Sequence, residues 1–202
     1  MLEGGVRSVV TITVAAMVII AAGLVALSLR QPSVPMYAPT PPAPREVGRA
    51  LVGPVLYTVD ATSSERWRHF SFRLGSVIDP AGPADWDLAF RRYQIMVNSV
   101  GNSGADFVGN GGVVDVGDVA FASVTAAPEA GYQATPAFAG WYRYGFLSHV
   151  LSPRPRVWVV RAADGRYAKM EFVSYYCPGS QPGCLTFRYV FQGDGSRRLD
   201  AR

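Results

Sequence analysis

The sequence is poor in the residues that usually do chemistry. Its 202 residues hold two cysteines, two histidines and one lysine, Lys169. A metal centre on Cys177 and Cys184 needs two more ligands, and only His69 and His149 are at hand. No Ser-His-Asp context surrounds Ser103, Ser148 or Ser174. Gly101, Gly104, Gly109, Gly111 and Gly112 crowd one stretch, but no Lys-Ser/Thr follows and no helix is opened, so a phosphate loop is excluded. Asp85 and Asp87 flank Trp86 and share a face if the segment is a strand. No histidine or nucleophile completes an acid–base set with them, so a turn or strand-end role is expected. Catalysis is therefore not expected.

Charge of one sign is also scarce. The net formal charge is +4, and +3 once the first 30 residues, with Arg7, Arg30 and Glu3, are set aside. No Lys/Arg run is interleaved with aromatics, which argues against a nucleic-acid groove.

What the chain does have is one long uncharged run, Val9 to Leu29. As a helix rising about 1.5 Å per residue it is roughly 31 Å long, enough to cross a bilayer core. The run exceeds a signal-peptide core and no A-x-A site follows, so residues 1–30 read as an uncleaved signal anchor. No cysteine follows it, which excludes a lipoprotein anchor. Arg7 and Arg30 lie on opposite sides, so the positive-inside rule barely decides orientation. Ala15, Ala22, Gly23 and Ala26 form a small-residue stripe that would admit a second helix, or reflect only how common Ala is in membrane helices. Thr11 and Thr13 can bond back to their own helix.

Residues 31–46 follow, with six prolines between Gln31 and Arg45. This is an extended polyproline-type spacer, expected to hold the remainder away from the membrane. Residues 47–202 are long enough for one domain with a real core.

In CPGSQPGC, Cys177 and Cys184 enclose a turn-forming Pro/Gly segment. A disulfide there is worth roughly 2–2.5 kcal/mol in the chain-entropy model and persists in an oxidising compartment such as the periplasm. A metal site is the rival reading.

The domain reads as antiparallel β. Val55–Asp60 is a first strand. In Trp67–Arg73, Phe70 and Phe72 alternate inward against Trp67, His69, Ser71 and Arg73. Trp86–Arg91 and Gln94–Ser99 are the next two strands or one bent strand, and Val113–Val124 is a further strand, with loops at residues 101–112 and 128–136. Phe138–Val150 reads either as a short helix or as an aromatic loop covering a sheet end. Its Trp141, Tyr142, Tyr144 and Phe146 are core cover or an interface anchor. Val157–Arg161 and Tyr167–Tyr176 form a hairpin around Asp164-Gly165. Leu185–Gln192 is the last strand, and the tail beyond Gly193 is expected to fray. A β sandwich or open barrel results.

Three blocks, DWDLAFRRYQIMVNSVGNSG (Asp85–Gly104), VWVVRAADGRYAKMEFVSYYC (Val157–Cys177) and LTFRYVFQ (Leu185–Gln192), occur in the order found in the HmuY-like family. The resemblance spans about Tyr57 to Gln192. It implies a largely antiparallel β fold and, in haem-binding members, iron held by two axial His or Met ligands on loops at one end of the sheet. His149, which follows the aromatic segment, would supply one such ligand or is a surface or packing histidine. His69 falls inside the β framework. No methionine lies between Val97 and Lys169, so a second loop ligand is missing. The spanning helix is a further departure.

Two functions are therefore expected. One is a non-catalytic accessory subunit of a bacterial inner-membrane complex, respiratory or photosynthetic. Its helix would pack on integral membrane subunits in the bilayer and its β domain would brace the periplasmic face, with no cofactor of its own. The alternative is a membrane-tethered haem-binding protein.

Overall fold

The computed structural model describes residues 2–29, 33–100, 102 and 107–200. Arg30, Gln31, Gly101, Ser103 and Gly104 lie outside the described residues. The molecule divides into two units, one of Met1–Ser33 with Tyr144–Leu151, the other of Val34–Arg143 with Ser152–Arg202.

In the first unit, α1 (Leu2–Leu29) contains Val9–Ala26, long and apolar enough to cross a membrane. Ala15, Ala22, Gly23 and Ala26 are exposed on it. Thr13 donates its hydroxyl to Val9 O at 2.9 Å, so this polar group is satisfied within the helix.

The second unit is a β sandwich. Its larger sheet contains β1 (Leu51–Asp60), β6 (Gly112–Gly117), β9 (Val157–Arg161), β10 (Tyr167–Tyr176) and β11 (Pro182–Gln192). Its smaller sheet contains β2 (Arg68–Ser71), β3 (Ser76–Ile78), β4 (Leu88–Arg91) and β5 (Gln94–Val97). The strand orders are β1-β11-β10-β9-β6 and β3-β2-β4-β5, and every pair is antiparallel. A short hairpin joins β7 (Tyr142–Tyr144) to β8 (Leu151–Pro153).

The alternation of Phe70 and Phe72 points both rings into the space between the sheets. Phe70 meets Tyr57 at 4.9 Å and Phe187 at 5.3 Å, while Phe72 stacks on Phe191 at 5.7 Å and Phe90 on Phe187 at 5.6 Å. These rings are buried. Aromatic pairs at such distances add about 0.5–1.5 kcal/mol each beyond the area they bury.

The hairpin around Asp164-Gly165 forms as read, closed by Ala162 N to Arg166 O at 2.7 Å. The Cys177–Cys184 disulfide is present and links the ends of β10 and β11, so the metal reading is replaced.

Several expectations are corrected. The strand read over Val113–Val124 stops at Gly117, whose φ of 97° suits glycine, and Phe121–Ser123 is a 3-10 turn. Phe138–Val150 is no helix but a turn, β7 and the hairpin tip. The tail does not fray over the described residues: Leu199 is buried, its N–H donates to Thr125 O at 2.7 Å, and Ala127 N donates to Arg197 O at 2.7 Å. The proline-rich segment is extended as expected but does not stand clear of the domain. Met36 bridges Tyr176, Thr40 N donates to Thr58 O, Arg45 N to Leu74 O and Val47 N to Arg73 O, and Ser174 donates its hydroxyl to Pro35 O. Prolines carry no N–H, so the segment lies along strands using the donors between them.

Candidate functional site

The outer face of the smaller sheet carries a histidine and a methionine in one row. His69 pairs with Ala89, and Ala89 pairs with Met96, so the three occupy one row across β2, β4 and β5. Residues in such a row share a face of the sheet. Ala89, between the two long side chains, is fully buried and packs in an apolar cluster with Ile78 and Trp86. The His69 ring lies 5.0 Å from Trp86, and Trp86 meets Phe107 edge-on at 5.6 Å. Trp67 lies beside this face with the Arg91 guanidinium 4.4 Å over its ring.

A cleft of about 560 Å³ opens here, with Trp67, Met96 and Phe107 on one side and Thr135, Pro136 and Ala137 on the other. Small-molecule sites run from roughly 300 to 1,000 Å³ and are mostly apolar with few polar groups. The Asn102 side chain, bonded to the Thr135 hydroxyl, also lines it.

Two buried polar side chains hold the strands and loops near this cleft. Asn98 donates to Pro83 O at 2.7 Å and Trp86 O at 2.9 Å, and accepts from Gly109 N at 2.9 Å. Gly111 N donates to Asn98 O at 2.9 Å. A Cβ on Gly111 would lie 2.4 Å from that carbonyl oxygen, so the approach requires glycine. This close packing accounts for part of the glycine-rich stretch without any phosphate.

Asp87 accepts from Phe72 N at 2.7 Å and Ala163 N at 2.8 Å and is buried. Burial outweighs these donors and pushes its carboxyl up to about 6. Asp85 accepts from Gly82 N at 3.0 Å in an exposed turn. The two carboxylates thus serve different backbone segments, as a turn and strand-end role predicts.

His149 lies elsewhere. It sits exposed in the β7–β8 tip, and its Nδ1 is 2.6 Å from the Tyr144 hydroxyl. Neither it nor His69 is among the residues that line the cleft. The aromatic set of the same segment splits. Trp141 is buried, donates its indole N–H to Tyr93 O at 3.1 Å and packs 4.8 Å from Phe172, so it is core. Tyr142 is half-buried, while Tyr144 and Phe146 are exposed. Ser174 and Ser148 are occupied in backbone hydrogen bonds. Among the described residues, no three or more His, Cys, Asp or Glu converge as a metal-binding group.

Met96 is not singled out by the sequence: it lies just before Val97, and its placement in one row with His69 depends on the β2–β4–β5 register.

No family model and no curated protein matches the chain. Solved structures do. An apo HmuY analog of Tannerella forsythia aligns over 73% of this chain and 99% of its own, with 18% identity and a TM-score of 0.55. A protein of Bacteroides vulgatus described as HmuY-like and haem-binding aligns over 73% and 98%, with 19% identity and a TM-score of 0.52. A protein of Bacteroides fragilis described as a lipoprotein aligns over 74% and 93%, with 17% identity and a TM-score of 0.51. The chain has an HmuY-like fold.

Proposed function

We propose that this chain is a non-catalytic, membrane-anchored haem-binding protein, with its site in the Trp67–Met96–Phe107 cleft. The observation that carries the reading is the His69–Ala89–Met96 row beside an aromatic cleft, in a fold whose compared structures include one described as haem-binding.

The residues present fit the group. Thioether and imidazole are both haem-iron ligands. Met96 lies on the cleft wall and would hold the iron; His69 is in the same row but outside the cleft lining, and would turn toward the cleft to serve as the second ligand. Trp67 and Phe107 would cover the ring faces, and the scarcity of polar groups would exclude water. Bound haem would supply a tightly held iron and a conjugated ring. The side chains of this chain would bind, orient and shield.

The apolar helix and the disulfide support a site of action at the bacterial inner membrane with the β domain on the periplasmic side. The accessory-subunit reading rests on the helix and its small residues alone, so the haem-binding reading is placed ahead of it. Haem titration of the full chain in mild detergent tests the proposal: a Soret band that shifts on Met96→Ala or His69→Ala, and not on His149→Ala, supports it.

A further inference from the structure

The β7–β8 hairpin carries apolar side chains at its tip, where solvated turns normally carry polar ones. Phe146 is 81% exposed, Leu147 71% and Tyr144 53%. The exposure is built into the backbone. Gly145 N donates to Val150 O at 2.8 Å and closes the tip. Val150 N reaches the Ser148 hydroxyl at 3.4 Å, and the Tyr144 hydroxyl meets His149 Nδ1 at 2.6 Å. His149 takes a left-handed φ of 53°, and a Cβ on Gly145 would meet Ser148 Oγ at 2.4 Å. Phe146 and Leu147 thus project from a closed loop.

The flanking chemistry is basic. Arg143 directly precedes Tyr144, and Arg154 and Arg156 follow β8. These three arginines line one cleft of about 460 Å³ together with Asp118. Arg154 Nε donates to Tyr142 O at 3.2 Å, and Arg156 pairs with Asp115. Apolar tip, tyrosine, then arginine is the order a segment needs to enter a bilayer interface: aliphatic and Phe side chains at the acyl boundary, Tyr at headgroup level, Arg at the phosphates.

A further observation favours lipid as the occupant. The apolar area is small. Two side chains of this kind bury a few hundred Å², whereas a stable protein interface buries about 1,600 Å² in total. That suffices as a second foothold for a chain already anchored, and not for a dimer.

We propose that the tip Tyr144–Val150 docks on an anionic bilayer, with Phe146 and Leu147 in the headgroup–acyl boundary and Arg143 and Arg154 at lipid phosphates. The β domain is then held to the membrane at two points, independently of what its cleft binds. The test uses the full chain with its disulfide intact and an environment-sensitive fluorophore on Leu147→Cys. It is reconstituted in phosphatidylcholine vesicles with and without phosphatidylglycerol, carrying nitroxide lipids labelled at a shallow acyl position. The expected result is blue-shifted emission and strong quenching in the phosphatidylglycerol vesicles. Quenching is reduced by Arg143→Gln/Arg154→Gln and by Phe146→Ser, and absent for the same fluorophore on Ser64→Cys. An unquenched probe at position 147 overturns the proposal. So does a blue shift without quenching, which would show the tip covered by a protein or a second copy.

Discussion

Met96 and His69 stand on either side of Ala89 in a single row across three strands, on the outer face of the smaller sheet. A thioether and an imidazole are thereby brought to one surface with only a methyl between them. The walls of the adjoining cleft come from separate segments: the aromatic rings of Trp67 before β2 and Phe107 in the loop after β5, and the thioether of Met96 on β5. This is the arrangement on which the haem-binding proposal stands.

Asp87 makes stability depend on pH. Its folded pKa of about 6 lies above the ordinary 3.8. Between those values the folded chain holds a proton that the unfolded chain has lost, so stability falls as pH rises from about 4 to 6. The full span corresponds to about 3 kcal/mol. The denaturant midpoint of the chain in detergent is expected to rise on going from about pH 7 to pH 5. Asp87→Asn should flatten that rise. An unchanged slope in the variant would show that another group is responsible.

Lys169, the one lysine, is buried on the opposite face of the larger sheet. It donates to Phe121 O at 3.0 Å and Val124 O at 2.8 Å, and lies 4.7 Å from the Phe121 ring. Burial, then the Arg188 charge, lowers its pKa. Lys169→Met keeps the stem but leaves the Phe121 and Val124 carbonyls without this donor, which should cost about 1–3 kcal/mol. Faster hydrogen exchange confined first to residues 118–127 is the expected signature. Uniform loss of protection across the domain would contradict it.

The Cys177–Cys184 bridge closes a short loop, with a sequence separation of 7. Its removal as Cys177→Ser/Cys184→Ser should cost roughly 2 kcal/mol. Thermal unfolding of the double variant measures this, and haem affinity should be unaffected because the bridge lies at the β10–β11 end and lines no part of the cleft.

The fold was largely legible in the sequence, and the site was not. Alternation fixes which way Phe70 and Phe72 point, Asp164-Gly165 marks a hairpin, and CPGSQPGC marks a clamp, because each signal is local. The errors fell where tertiary contacts override local composition. Prolines at 32–44 read as a free spacer, yet Thr40, Arg45 and Val47 each donate a backbone N–H to the domain. Leu199 sits in a polar tail, yet one apolar side chain found a buried seat. Met96 and His69 come together only through strand register, which a single sequence does not reveal. His149, read either as a haem ligand or as a surface or packing histidine, is part of an exposed hairpin tip.

The central claim is tested most directly by titrating haem into the full chain in mild detergent while recording the Soret region. The account predicts stoichiometric binding, at least tenfold weaker for Met96→Ala, weakened for His69→Ala, and unchanged for His149→Ala; about tenfold is the loss of 1.4 kcal/mol of binding free energy. No Soret shift in the parent chain, or loss of binding only on His149→Ala, would contradict it.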